Sequence, residues 1–364
     1  MDEQITPLQF VYLIVCTIMG TSILMLPYFA IREAGQDAWI SLLITATLDI
    51  TVGAMIYVTG LRYPRLTLVQ YSLAMAGPVV GRLLSAVYLL FLLHMTALSV
   101  RGFGDFVTSS YMPETPLWLL NMAAVLVSVW VARQGLEVVA RTAELLTPAF
   151  LLTTLLICVL VAKDVHFERL RPVLARGWLP VLRGSLLPTA FFGECVIMAM
   201  LMPHLTRPRT ALAAKATAVG IGTAIMILGV TFTVAAFGVE FAANQTYPLN
   251  ELTRIVNVAD VLERMDPLFM AVWLGTTLVK VTLFCNVLAT GWAQWLGLDN
   301  AKSLVLPVGA LAGWLSLVLF PGLPENRAYL ALHPYYALPI EVGLSALFLA
   351  LALLRPGARR RPRG

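Results

Sequence analysis

Residues 184–206, GSLLPTAFFGECVIMAMLMPHLT, are long and apolar enough to cross a bilayer, yet they carry Gly193 and Glu194 near the middle. A carboxylate at that depth costs roughly 2.5 kcal/mol or more on insertion scales, which makes Glu194 a functional-site candidate. Working outward at about 20 residues per span, the chain divides into ten apolar runs at about 7–31, 38–61, 82–109, 116–132, 144–162, 184–206, 212–239, 267–292, 303–320 and 335–354. The first run, PLQFVYLIVCTIMGTSILMLPYFAI, is also interrupted mid-way, at Gly20-Thr21-Ser22. Runs one and six open two sets of five, and interruptions at matching places in two halves point to a ligand site at the membrane midplane. A helix broken inside a bilayer frees N–H and C=O groups that lipid cannot satisfy, so something polar must meet them.

Composition agrees: over 364 residues the chain is 59% hydrophobic and only 12% charged, with a mean hydropathy of +0.83. This implies an all-α integral membrane protein rather than a soluble globule. The first apolar run is too long for a signal-peptide core, so the first helix is expected to be retained. The net charge of +5 gathers largely in the tail 355–364, where Arg355, Arg359, Arg360, Arg361 and Arg363 follow the last run. That tail reads as an anchor on anionic lipid headgroups, not a nucleic-acid patch. The excess of Lys and Arg favours both termini inside, moderated by Lys163, Arg169, Arg171, Arg176 and Arg183 on the opposite connector.

Cys16, Cys158, Cys195 and Cys285 stand singly in apolar runs, and no Cys/His spacing suits zinc, so neither a disulfide framework nor a metal site is expected. Phosphate-loop, HExxH and GxSxG motifs are missing, which predicts a non-enzyme without a cofactor. His166 and His333 are placed in or beside outer loops.

The candidate site takes Gly20, Thr21, Ser22 and Ile23 from the first run and Phe191, Phe192, Gly193 and Glu194 from the sixth. Backbone amides at the start of a second half-helix favour an anionic group such as a carboxylate. A glycine in a membrane helix also permits close helix packing, and that alternative stands beside the binding one. Lys280 and Asp49 are further ionisable groups at membrane depth, with Lys280 in need of a partner such as Glu194 or Asp49. Asp49 and His94 are candidates for a proton or water path. His94 otherwise reads as a neutral imidazole bonded to a neighbouring helix.

Arg101 and Asp105, four apart, are expected to pair on one helix face, either anchoring the helix or gating the outer side. Arg133, Glu137, Arg141 and Glu144 read as a solvated, self-paired helix or a contact surface for a partner. Residues 248–265, PLNELTRIVNVADVLERM, place leucines and valines on one stripe and predict an amphipathic surface helix, a lid or a plain connector.

Motifs spread along the chain carry a family resemblance: ITPLQF at 5–10, GTSILMLP at 20–27, AGQDAW at 34–39, RGFGDF at 101–106, TPLW at 115–118, RQGLEVVAR at 133–141, RPVLARGWLPVLRG at 171–184 and FFGE at 191–194. In order and spacing the chain resembles the spore-germination permeases, the integral B-subunits of endospore germinant receptors, within the amino acid-polyamine-organocation transporter superfamily. The resemblance implies ten transmembrane helices in a LeuT-like 5+5 inverted repeat with helices 1 and 6 broken, the first repeat at about 7–162 and the second at about 184–354.

It also implies a small amino acid or similar nutrient as ligand, partner receptor subunits, and the inner membrane of the spore or the bacterial cell membrane as location. The superfamily's ligand site falls on Gly20, Thr21 and Ser22, with Ser22 where the family has a second glycine. LeuT-like proteins hold a structural sodium ion between the first and eighth helices, and Lys280 is positioned to replace its charge. Two functions follow: a nutrient-sensing subunit that signals to partners, or an autonomous amino acid transporter coupled to protons through Glu194 or Asp49.

Overall fold

The computed structural model describes residues 3–258, 262–263, 265–319 and 322–354; the basic tail lies outside the described residues. In chain order the helices are α1 (Pro7–Ala34), α2 (Ala38–Arg62), α3 (Leu68–Ser110), α4 (Leu117–Ala132), α5 (Leu136–Val161), α6 (Trp178–Gly193), α7 (Met198–Leu201), α8 (Ala211–Phe237), α9 (Val239–Ala242), α10 (Pro248–Arg254), α11 (Asp266–Leu296), α12 (Lys302–Val318) and α13 (Leu323–Leu354). A two-stranded ribbon, β1 (Asn257–Val258) with β2 (Leu262–Glu263), sits between α10 and α11.

Among the described residues seven helical stretches are long and apolar enough to cross a membrane, and the first, Pro7–Arg62, contains both α1 and α2. The apolar helices α4 and α12 have 16 and 17 residues. They fall short of the ~20 that a perpendicular span takes, so length alone does not make all ten predicted runs membrane spans.

Local sequence explains the ends. Thr6 accepts from the amide of Gln9 while the Gln9 side chain accepts from the amide of Thr6, a capping box reinforced by Pro7 in the first turn. Thr67 and Gln70 repeat the device at the start of α3. Within α3, Gly77 has φ +81° immediately before Pro78, so the helix kinks there. Ser72 Oγ bridges the kink by donating to the carbonyl of Gly81 at 3.1 Å.

The core sits around α1, which is buried on nearly every side from Phe10 to Ile31 and packs on α5, α6, α8 and α11. A helix apolar all round belongs in the middle of a bundle. Lipid-facing apolar side chains lie further out, among them Trp118, Leu126 and Trp130 on α4 and Leu145, Leu152 and Val159 on α5. Between α2 and α6 small polar residues allow close approach: Ser41 donates to the Val181 carbonyl at 2.8 Å, and the hydroxyls of Thr45 and Thr189 meet at 3.2 Å.

On the face that carries the N-terminus, Ile5 and Leu205 form a parallel bridge, and Glu3 Oε2 accepts from the Leu136 amide at 2.7 Å, capping α5. Glu144 accepts from Gln9 and Glu137 from the Gln4 amide. The charged start of α5 is therefore tied to the N-terminal segment as well as to itself through the long Glu137–Arg141 pair at 3.9 Å.

Three expectations change. Helix α1 runs unbroken through Gly20-Thr21-Ser22. The amphipathic helix expected over 248–265 is only α10 followed by the ribbon, with residues 259–261 and 264 outside the described residues; the β-branched run Ile255, Val256, Val258 favours extended backbone there. Leu249 and Leu252 are buried, Leu249 against Gly229 of α8, so α10 is part of the packed bundle and not a surface strip. His333, expected in or beside an outer loop, is fully buried within α13, because that helix begins twelve residues before the predicted run.

Candidate functional site

The sixth run does break. Helix α6 ends at Gly193, Glu194–Ile197 form a 3₁₀ turn, and the helix resumes as α7. A 3₁₀ stretch inside a helix leaves poorly bonded carbonyls and often marks a hinge. One of them, that of Val196, accepts from Tyr88 Oη of α3 at 3.4 Å.

Glu194 leaves this break toward α11, where its Oε2 lies 2.5 Å from Lys280 Nζ. The same ammonium donates to Thr21 Oγ1 at 2.7 Å. Lys280 thus ties α1, the break and α11 together at one point, and both charged side chains are essentially without solvent exposure. The ammonium also lies 6.0 Å from the Phe191 ring centroid and 5.6 Å from that of Phe284, within cation–π range.

The unbroken α1 has a physical reason at the same place. A Cβ on Gly20 would meet Lys280 Cβ and Cδ at 3.2 Å and Thr277 Cα at 3.3 Å, so the glycine admits α11. Thr277 Oγ1 donates to the Gly20 carbonyl, and Thr21 receives Lys280. The polar residues of GTS satisfy a neighbouring helix instead of interrupting their own. The close-packing alternative for Gly20 therefore holds in this structure.

Gly20, Thr21, Ser22, Ile23, Phe191, Phe192, Gly193 and Glu194 are all buried, and α1 and α6 pack along their length. Three side-chain polar atoms of this set, Ser22 Oγ and both carboxyl oxygens of Glu194, are buried with no hydrogen-bond partner among the described residues; Oε2 is held in the ion pair with Lys280, which leaves Ser22 Oγ and Glu194 Oε1 with neither. Unsatisfied buried groups cost about 1–3 kcal/mol each and call for an explanation.

Asp49 does not join this cluster. Its Oδ1 takes Lys215 Nζ at 3.0 Å in a second fully buried pair between α2 and α8. Lys215, one turn into α8, points inward because Gly53 of α2 leaves room, a Cβ there falling 2.5 Å from Lys215 Cδ. The Arg101–Asp105 pair forms at 2.7 Å and is buried, with Asn326 of α13 donating to Asp105 Oδ2 at 2.9 Å.

His94 Nε2 lies 3.0 Å from Tyr336 Oη and at 2.5 Å from Tyr329 Oη. His333 Nδ1 also meets Tyr336, and its ring lies 5.0 Å from Phe191. His94 meets a neighbouring helix, α13, as one of its two readings expected, whereas Tyr329, Tyr336 and Glu341, the last packed on Gly193, are absent from the sequence reading. Glu341 could have been found by the rule that singled out Glu194, a carboxylate deep in an apolar run; the tyrosines gave no such signal. Among the described residues no group of three or more His, Cys, Asp or Glu converges as metal ligands would.

The profile of a family described as spore germination protein matches residues 4–319. Among curated relatives, spore germination protein KB of Bacillus subtilis (strain 168) is 26% identical over 362 residues, 98% of this chain and 96% of that protein. Spore germination protein YndE of the same organism is 26% identical over 351 residues, covering 93% and 95%. Among solved structures, MhsT in complex with L-phenylalanine superposes with a TM-score of 0.74 at 13% identity, over 100% of this chain and 94% of the other. Mhp1, a nucleobase-cation-symport-1 family transporter, gives 0.66 at 15% identity over 96% and 78%. A Na⁺-coupled sialic acid symporter gives 0.67 at 13% identity over 93% and 78%. The fold is that of these LeuT-like transporters.

Proposed function

The chain belongs to the spore germination protein family, and from that premise we propose that it is a nutrient-sensing subunit of a germinant receptor. A small amino acid or similar solute binds between α1 at Gly20–Ile23 and the break at Phe191–Glu194, in the inner membrane of the spore with both termini inside. The observation that carries this reading is the pair of unsatisfied buried atoms, Ser22 Oγ and Glu194 Oε1, on the two elements that meet there. A solute ammonium suits Glu194, and a solute carboxylate suits Ser22 and the Lys280 ammonium.

In this structure Lys280 bridges Thr21 and Glu194, so a solute must compete with that bridge and open it. Since Lys280 supplies a fixed positive charge between α1 and α11, binding is expected to be independent of sodium. Opening releases the restraint on the hinge at 194–197, and partner subunits read the resulting shift. The solute must bind the opened arrangement more tightly than the closed one, because equal affinity for both shifts nothing. We place the two inverted repeats at about 7–162 and 184–354, the break and α1 being their corresponding first members. No reaction chemistry is assigned.

The transporter likeness favours one competing reading, an autonomous proton-coupled amino acid transporter on the same scaffold. The purified chain in proteoliposomes separates them. A sensor shows saturable binding of radiolabelled amino acids without accumulation, with or without a proton gradient. Gradient-driven accumulation by the chain alone would overturn the sensor reading.

A further inference from the structure

Glu341 lies eighteen residues along α13, level with the break in the sixth run. It is 1% exposed, and a Cβ on Gly193 would fall 2.0 Å from its Oε2, so the carboxyl rests directly on the backbone of α6 where the hinge begins. Neither carboxyl oxygen has a hydrogen-bond partner, and no ion pair among the described residues includes this side chain.

The charges around it are already matched. Lys280 serves Glu194, Lys215 serves Asp49 and Arg101 serves Asp105. Glu194, Asp49 and Lys215 face Glu341 through space, and the one cation among them, Lys215, is already held by Asp49. From α3 the protic groups facing it are Tyr71 and Tyr88, and on its own helix Tyr336 lies nearest in sequence. None of these supplies a cation. An isolated carboxylate in a low-dielectric interior is expelled or neutralised.

Glu341 also borders a small cavity. With Thr59, Tyr71, Tyr88 and Ser345 it lines a cavity of about 10 Å³, room for one water molecule. Ile56 and Tyr71 also wall a second cavity of about 10 Å³ that extends to Arg65. Arg65, Pro203 and Pro208 in turn border an open vestibule of about 500 Å³ on the face that carries the N-terminus.

We propose that Glu341 is a proton-binding site that exchanges its proton with the N-terminal face through this string of cavities and thereby biases the hinge of the sixth run. The proton passes between the carboxyl and water in the first cavity, and no other bond is made or broken. While the proton is bound, the neutral carboxyl packs on Gly193 and the hinge stays closed. When it leaves, the new charge stands beside Glu194, and repulsion between the two carboxylates drives the elements apart. The inference holds whichever solute binds at α1.

Infrared difference spectroscopy of the purified protein in lipid nanodiscs tests this through the carboxylic-acid C=O band. The wild type and Glu194→Gln should show a protonated-carboxyl band that Glu341→Gln loses, and the band should shift on transfer to deuterated buffer. Should Glu341→Gln not fold, Glu341→Asp retains a carboxyl and should move the band. A band that neither variant alters, or none in the wild type, overturns the site. A band that resists deuterium exchange overturns the water path.

Discussion

Replacing Lys280 by methionine nearly keeps the side chain's volume, one heavy atom shorter, but deletes the charge that three elements share. Glu194 is then left at 0% exposure with its partner, 2.5 Å away in the native protein, gone. Removing one member of a buried pair destabilises by about 3–5 kcal/mol, because the survivor keeps its desolvation penalty. Loss of the hydrogen bond from Lys280 Nζ to Thr21 acts in the same direction. The expected result is the upper half of that range, a shift of about three to four decades in the folded-to-unfolded ratio at a fixed denaturant level. Replacing both partners, as Lys280→Met with Glu194→Leu, removes the orphaned charge, so the double variant should recover at least ~2 kcal/mol over the single one. Mixed-micelle denaturation followed by intrinsic tryptophan fluorescence reads all four corners of the cycle. A Lys280→Met protein within about 0.5 kcal/mol of wild type, or a double variant worse than the sum of the singles, refutes the reasoning.

Further variants probe the rest of the polar core. Gly193→Ala places a methyl group 2.0 Å from Glu341 Oε2 and should cost about 1–3 kcal/mol by overpacking, with Glu341→Ala in the same chain recovering part, both read by the same denaturation assay. Lys215→Met orphans Asp49 and should cost about 3–5 kcal/mol, while Lys215→Met with Asp49→Leu should cost much less. Glu3→Ala removes the acceptor that caps α5 and should lower stability there by about 1 kcal/mol; hydrogen exchange of the Leu136 amide should quicken severalfold while the middle of α1 is unchanged. Solute binding measured in potassium and in sodium buffers should agree, since a covalently held ammonium already stands between α1 and α11.

Periodicity and run length were enough to show the membrane bundle, and a carboxylate beside a glycine was enough to mark the hinge at 194–197. Depth in an apolar run also identified Lys280, although its choice of Glu194 over Asp49 depended on which helices pack, which no local pattern encodes. The interruption at Gly20 misled because a Gly-Thr-Ser triplet has two physical uses, freeing its own backbone or bonding a neighbour, and here Thr277 and Lys280 of α11 decide between them. Lys215 gave no signal because it sits one turn from a run's end, where a small shift of boundary carries a side chain from headgroup to core. Tyr329 and Tyr336 were invisible since a tyrosine is ordinary in a membrane helix until a histidine meets it.

The central claim is that a solute binds where α1 meets the hinge of the sixth run. Equilibrium binding of a panel of radiolabelled amino acids to the nanodisc-embedded chain, compared between wild type, Ser22→Ala and Glu194→Gln, tests it most directly. Losing a hydrogen bond to a charged group is worth about 1.5–3 kcal/mol, so each variant should weaken the best ligand by at least about tenfold, with affinity referred to the folded fraction because Glu194→Gln also leaves Lys280 without its carboxylate. Unchanged affinity in both variants would contradict the account and move the site elsewhere.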